Sequence, residues 1–338
     1  MARKATNKLL HKAKKSKSDE FYTQLCDIES ELKFYKTHFK DRVVYCNCDD
    51  PRISNFFKYF TINFEDLRIK KLITSCYRDQ ANDLFGEKSQ DSGFFFEYTN
   101  TDEEKRKLDD PEIKPFTGNG DFRSLESIEL LKKSDVVVTN PPFSLFREYV
   151  EQLVKYEKKF LIIGNVNAIT YKEIFELIKE NKAWLGINLG RGVSGFIVPE
   201  HYELYGTEAR IDEFGNRIVS PNNCLWLTNL DTFKRHEDIL LTKKYFKNEH
   251  EYPKYDNYDA IEVSKTNEIP LDYNGVMGVP ITFMNKYNPE QFDILGLAAS
   301  AGYKEEIVGI PFLGIKDARP LLNGKNTYAR IFIKNKRL

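Results

Sequence analysis

Short, largely apolar runs that alternate with helical segments limit the folds open to this chain more than any other feature. Arg42-Val43-Val44-Tyr45-Cys46, Lys71 to Cys76, Asp135-Val136-Val137-Val138-Thr139 and Phe160-Leu161-Ile162-Ile163 are short and rich in apolar or β-branched residues, so they read as strands. A strand without a polar side must be covered on both faces, as in a parallel sheet flanked by helices. The segments between supply such helices. Asp19 to Lys40 reads as an entry turn and helix, and Ser127 to Lys133 as a second helix. In Ser144 to Tyr156, the residues Leu145, Phe146, Tyr149, Val150, Leu153 and Val154 share one apolar face. Thr170 to Asn181 carries a capping box, Thr170 with Glu173, and a stripe of Ile174, Leu177 and Ile178. Ala183 to Leu189 returns to strand. The expected fold class is α/β, with a doubly wound, mostly parallel sheet.

Residues 79–120 are polar with scattered glycines and read as irregular, with a hairpin near Phe94-Phe95-Phe96. Beyond Gly190 the texture changes: Gly, Pro, Asn and Tyr become dense, and short strands such as Cys224 to Leu227 stand between turn clusters. The expected organisation is an arm over 1–18, a sheet domain over 19–200, and the last strands with an irregular recognition region over 201–338.

Composition narrows the class. A chain of 338 residues with 41% hydrophobic and 14% aromatic residues can bury a large core. No apolar run approaches the roughly 20 residues that span a bilayer, and no signal peptide is evident. Cys26, Cys46, Cys48, Cys76 and Cys224 form no CxxC pair and lie far from the histidines, so reduced thiols in a cytoplasmic protein are expected, without a metal. Formal net charge is zero, but the charge is segregated. Arg3, Lys4, Lys8, Lys12, Lys14, Lys15 and Lys17 crowd the first seventeen residues with no acid among them. Such an arm suits phosphate contact, although a solvated tail would look the same.

The sequence Asn140-Pro141-Pro142-Phe143 follows the Asp135–Thr139 strand, and ligands of open α/β sheets bind at the carboxyl ends of strands. An exocyclic amine on a base is a poor nucleophile, because its lone pair is delocalised into the ring. Two acceptors that take its two hydrogens hold the lone pair out of plane. The Asn140 amide and the Pro141 carbonyl fit that task, the prolines stiffen the loop, and Phe143 offers a stacking face. Three weaker segments are candidate cofactor contacts. Glu20-Phe21-Tyr22-Thr23 has aromatics and a hydroxyl, Cys46-Asn47-Cys48-Asp49-Asp50-Pro51 ends a strand in acids, and Gly118-Asn119-Gly120-Asp121-Phe122 is a turn with an acceptor.

Those segments, in that order, resemble the EcoRI-type adenine-N6 DNA methyltransferases of bacterial restriction–modification systems. The likeness also takes in the basic arm, Gly120-Asp121-Phe122-Arg123-Ser124, Gly190 to Glu200 and Asp272 to Pro280, and covers nearly the whole chain. It implies a class I S-adenosylmethionine-dependent methyltransferase fold with a C-terminal target-recognition region. It also implies a flipped adenine in duplex DNA, a GAATTC site methylated on its inner adenine, and a monomer that shares its site with a restriction endonuclease without binding it. By the same resemblance Phe21, Tyr22 and Thr23 flank the methionine of S-adenosylmethionine. Cys46, Asn47, Asp49 and Asp50 fill the place of the usual cofactor loop, Asp121 meets the cofactor's adenine beside Phe122, and Asn140 to Phe143 hold the target base. The chain departs from most methyltransferases in having no glycine in Cys46–Pro51, and the likeness is weaker over 78–114 and 295–323.

Two other readings are weaker. Some protein and RNA methyltransferases carry an Asn-Pro-Pro-aromatic loop, but the basic arm and the aromatic, Asn-rich C-terminal half suit duplex DNA. A non-catalytic DNA-binding module would not need the intact tetrapeptide. A zinc deaminase is excluded, because no Pro-Cys-x-x-Cys follows any His-x-Glu. Arg191, Arg210, Arg217 and Asn222 are generic candidates for DNA contact.

Overall fold

The apolar runs become adjacent strands, and their order decides where a site can form. A computed structural model describes residues 22–78, 92–106, 108, 111–188, 193–198, 200, 203–204, 206, 209–220, 223–299, 309–311 and 318–338. In chain order these give β1 (Tyr22–Thr23), α1 (Leu25–Leu32), β2 (Val43–Cys46), α2 (Asn55–Ile62), β3 (Lys71–Cys76), β4 (Phe94–Tyr98), α3 (Asp102–Arg106) and β5 (Lys114–Pro115). Then come α4 (Leu125–Lys133), β6 (Val136–Thr139), α5 (Phe146–Lys155), β7 (Lys159–Asn165), α6 (Lys172–Lys179) and β8 (Trp184–Leu185). The strands β9 (Phe196–Val198), β10 (Arg210–Ile211), β11 (Arg217–Val219) and β12 (Cys224–Thr228) follow. The last are β13 (Ile261–Glu262), β14 (Met277–Pro280), β15 (Phe292–Ala298), β16 (Leu321–Leu322), β17 (Lys325–Asn326) and β18 (Arg330–Asn335).

Two compact units divide the chain. One takes in the chain through Val166 and returns for Gly186–Leu230; the other holds Asn167–Leu185 and Asp231–Leu338. The first contains the strand order β5-β4-β3-β2-β6-β7-β12. At its centre β3, β2, β6 and β7 are parallel, joined by helical crossovers through α2 and α5. At the edges β4 runs antiparallel to β3, and β12 antiparallel to β7. The sheet is therefore mixed, and parallel only in the middle.

Alternation along the central strands explains the two covered faces. Val44, Cys46, Leu72, Val136, Val138, Leu161 and Ile163 pack with Ile28 and Leu32 of α1 and Phe56, Phe57 and Phe60 of α2. The intervening Tyr45, Ile73, Val137, Phe160 and Ile162 are buried as well. Leu130 and Leu131 of α4 and Phe146, Tyr149, Val150 and Leu153 of α5 are the buried apolar residues of the helices that touch β2 and β7. A smaller antiparallel sheet, β1-β9-β11-β10, belongs to the same unit. The second unit holds the sheet β13-β14-β18-β15, where Arg330 and Glu262 pair at 2.6 Å beside Tyr255.

Several expected elements are corrected. Asp19–Lys40 is not one helix: Tyr22–Thr23 pair with β9, α1 is short, and a 3-10 turn covers Lys36–His38. The Thr170–Glu173 capping box does not form. Tyr171 takes the N-cap position, and the Thr170 hydroxyl donates to the Asn167 carbonyl at 2.7 Å. Of the expected strand Ala183–Leu189, the described residues 183–188 are strand only at Trp184–Leu185, because the Glu31 carboxylate captures the N–H groups of Ile187 and Asn188. Val154 falls off the buried face of α5. The region near Phe94–Phe96 is a strand between β3 and β5, with residues 79–91 outside the described residues.

One contact joins the sheet to the segment after β6. A Cβ placed on Gly164 of β7 would lie 2.5 Å from Cζ of Phe146, the first residue of α5. Gly164→Ala is therefore expected to destabilise the protein by about 1–3 kcal/mol, as overpacking does. Chemical denaturation reads the change, and an unchanged midpoint contradicts this packing.

Candidate active site

The carboxyl ends of β2, β3 and β6 share one edge of the sheet, because these strands are parallel. The turn after β2 is shaped by Asp49. Its N–H donates to the Ser75 carbonyl at 2.9 Å, its Oδ1 accepts from the Ser54 hydroxyl at 2.7 Å, and its Oδ2 accepts from the Thr139 hydroxyl at 2.6 Å. Ser54 also caps α2, accepting from the N–H groups of Phe56 and Phe57. A buried carboxylate beside a helix N-terminus thus binds the first turn of α2 to the last residue of β6. Burial pushes the Asp49 carboxyl up to about 6, against the pull of the two hydroxyl donors.

The neighbours of Asp49 divide their tasks. Asp50 accepts from Nε and Nη2 of Arg52 at 2.9 and 2.6 Å. Asn47 accepts from the Tyr149 hydroxyl of α5. Cys46 is fully buried on the same face as Val44, so its side chain belongs to the core and its backbone to the site edge. The Gly118–Phe122 turn closes against the end of β3. Gly120 has φ of 76°, and a Cβ there would meet the Cys76 carbonyl at 2.7 Å, so only glycine fits. Asp121 beyond it accepts from Nε and Nη2 of Arg123 at 2.9 and 2.7 Å, and this guanidinium holds its carboxyl below the ordinary range. The Phe122 ring packs edge-on against Tyr149, and its carbonyl accepts from the Gln152 amide.

Asn140 to Phe143 leave the same edge directly after Thr139. Pro141 is buried, while Asn140, Pro142 and Phe143 are partly so. The Leu145 N–H donates to the Pro142 carbonyl at 3.0 Å, closing the 3-10 turn Phe143–Leu145 that leads into α5. The Phe143 ring meets Phe196 of β9 at 5.9 Å with planes at 69°. Phe196 is paired with Thr23 of β1. The Thr23 carbonyl in turn accepts from the Asn55 amide at the start of α2, at 2.8 Å. The Thr23 hydroxyl is buried and has no hydrogen-bond partner among the described residues.

Of the residues singled out from sequence, Tyr22, Thr23, Asn47, Asp49, Asp50, Asp121, Phe122 and Asn140 to Phe143 all fall in this unit around the sheet edge. Phe21 and the arm residues Arg3, Lys4, Lys8, Lys12, Lys14, Lys15 and Lys17 lie outside the described residues, as do Arg191 and Asn222. Sequence reasoning missed Thr139, Ser54, Asn55, Tyr149, Phe196 and Arg123. It also missed Asp27 and Glu31, one turn apart on α1. Asp27, pushed up to about 6 by burial, accepts from the N–H and hydroxyl of Ser194. Glu31 accepts from Ile187, Asn188 and Tyr35. Two acids on the core side of a helix, beside Ile28 and Leu32, were the available signal.

Comparison with known proteins places this arrangement among relatives. The family model described as "Adenine-specific methyltransferase EcoRI" matches residues 9–336. The chain is 66% identical to "Type II methyltransferase M.EcoRI" of Escherichia coli, covering 100% of this chain and 99% of that one. It is 38% identical to "Type II methyltransferase M.MgeORF184P" of Mycoplasma genitalium (97% and 99% covered) and 39% identical to "Type II methyltransferase M.MpnI" of Mycoplasma pneumoniae (86% of each). No solved structure matches.

Asp49 gives the site a pH signature. Its folded pKa of about 6 lies above the roughly 3.9 of an unfolded aspartate. The folded state thus holds the proton more tightly, so this contribution is complete below pH ~4 and lost as pH rises through ~6. In denaturation at a series of pH values, Asp49→Asn is expected to flatten the fall of stability between pH ~4 and ~6 by up to about 3 kcal/mol. A slope identical to that of the parent contradicts the buried, proton-binding carboxylate.

Proposed function

Since the chain belongs to the EcoRI family of adenine-specific methyltransferases, we propose that it methylates N6 of an adenine turned out of duplex DNA, with S-adenosylmethionine as donor. Membership carries site-specific methylation of adenine in DNA, and thus a methyl donor. The identity of the donor, the posture of the base and the sequence recognised are what we add. The observation that supports this reading is Asn140-Pro141-Pro142-Phe143 at the carboxyl edge of β6, held there by the Thr139–Asp49 hydrogen bond.

In this reading the Asn140 Oδ1 accepts one N6 hydrogen and the Pro141 carbonyl the other, since the Pro142 carbonyl is committed to Leu145. Both bonds favour a nitrogen whose lone pair is free of the ring, and both strengthen as positive charge grows on N6 during attack. Asn140 is an amide, so it orients the amine and removes no proton. Phe143, braced edge-on by Phe196, stacks on the base. The finer fold assignment, a class I methyltransferase with the second unit as target-recognition region, accords with the mixed sheet and its central parallel strands.

The residues present fit S-adenosylmethionine. Bound, it supplies an electrophilic methyl group on a sulfonium. Thr23 would offer its unpartnered buried hydroxyl to the methionine end, beside Tyr22. Asn47 and Asp50 would line the end of β2. Asp121 still has acceptor capacity for an adenine amine beyond its bonds to Arg123, with Phe122 at its side. Asp49 would line the same turn, with acceptor capacity beyond its bonds to Ser54 and Thr139.

We assign GAATTC, methylated on its inner adenine, as the site, on the strength of the 66% identity to M.EcoRI. The chain would act as a monomer in the bacterial cytoplasm, with its arm on the phosphates. It would protect the site from an endonuclease that cuts it, without a stable complex between the two. Among the described residues no helix is long and apolar enough to cross a membrane. Long-read sequencing of DNA from cells expressing the chain should show N6-methyladenine at the second adenine of GAATTC. Asn140→Ala should leave that position unmodified while the purified variant binds the duplex within about threefold of the parent, because the lost contacts act mainly in the transition state. Modification at another sequence overturns the assigned site, and modification by the variant overturns the role of Asn140.

A further inference from the structure

The hairpin of β10 and β11 carries an aromatic residue that the site above does not use. Phe214 stands at the tip with 81% of its surface exposed. Exposed apolar side chains are common, so exposure alone decides nothing. What sets Phe214 apart is how its backbone is held and where the hairpin is rooted. The Asp212 carboxylate accepts from the Phe214 N–H at 2.9 Å, the Asn216 N–H at 2.8 Å and the Asn216 side-chain amide at 2.9 Å. Main-chain bonds from Asp212 to the Asn216 carbonyl and from Gly215 to the Asp212 carbonyl close the turn, with Gly215 at φ 82°. The tip is a tied loop that presents one ring outward.

The root of the hairpin leads to the target-base loop. Within β11, Val219 is paired with Phe196, and the Phe196 ring meets Phe143. Val219 lies five positions after Phe214, at most about 17 Å of extended chain. That upper bound is about twice the roughly 8.5 Å depth of the major groove, so it allows a tip rooted beside a held base to enter the stack from which the base came. Arg210 and Arg217 stand on the two strands below the tip and bring positive charge to a place where phosphates would run. A step that has lost a base exposes two unstacked faces, and apolar side chains on a rigid support fill such gaps.

We propose that Phe214 enters the duplex at the target step and occupies the space the extruded adenine leaves, with Arg210 and Arg217 at the flanking phosphates. This makes Phe214 a positioning residue for the reaction, and it rests on the reading that the adenine leaves the helix. The test uses the full-length enzyme and the duplex it methylates, with 2-aminopurine in place of the target adenine to report unstacking. The parent should raise the fluorescence, and Phe214→Ala at saturating protein should lose most of that rise. On ordinary paired DNA the variant's single-turnover methylation should fall about tenfold, the size of effect expected when one base–aromatic stack is removed. On a duplex where the target adenine faces an abasic site, and so needs little help to leave, its rate should return to within about threefold of the parent.

A variant that matches the parent in fluorescence and rate overturns the wedge and leaves extrusion of the base standing. An equal loss on both duplexes also overturns it, because the ring would then serve something other than opening the step. Absence of any fluorescence rise with the parent enzyme overturns extrusion itself, and the wedge with it.

Discussion

A single hydrogen bond, from the Thr139 hydroxyl to the buried Asp49 carboxylate, fixes where the Asn140–Phe143 loop starts. Burying a carboxylate is costly unless its oxygens are satisfied, and here Ser54 satisfies the other one. The same serine caps α2, so one buried charge ties β2, β6 and the following helix together. Most methyltransferases use glycines after the first strand to bring the backbone close to the cofactor. The turn Cys46–Pro51 has none, and it stays tight because Asp49 is anchored through its N–H to Ser75 and through its side chain to two hydroxyls. The proton affinity of Asp49, raised by burial, is the mark of that arrangement.

A second set of buried carboxylates does for the small sheet what Asp49 does for the large one. Asp27 and Glu31 project from α1 and hold the N–H groups of Ser194, Ile187 and Asn188. Ile187, Asn188 and Ser194 are thereby pinned to α1, and β9 can pair with Tyr22–Thr23 on one side and β11 on the other. Phe196 then carries the connection from Thr23 to Phe143. The proposed methionine end, the Phe143 ring and the hairpin below Phe214 all meet one short strand. Phe143 is braced by that strand and fixed by the 3-10 turn into α5, whose Tyr149 reaches back to Asn47.

Much of the first unit was legible in the sequence because its signals are local. Val136–Thr139 is fully β-branched and Lys71–Cys76 is largely apolar or β-branched, and no other element suits them. Asn140 was legible for the same reason: a polar residue and two prolines end a buried strand. What escaped was set by contacts distant in sequence. Nothing near Ala183 announces that Glu31 will take two N–H groups and end the strand, and nothing near Thr170 shows that its hydroxyl will serve the preceding turn. The antiparallel edges depend on where the chain returns after long excursions. Asp49 was legible as an acid after the first strand, but its tie to Thr139, 90 residues away, has no local signal.

The most direct measurement of that tie is the single-turnover rate and donor affinity of Thr139→Val, which keeps the shape of the side chain and removes its hydroxyl. Small displacements of a reacting group can cost up to about a hundredfold in rate, so the rate should fall at least about tenfold while donor and duplex affinities stay within about threefold. A folded Thr139→Val enzyme that methylates adenine at the parental rate would contradict the claim that Asp49 positions Asn140.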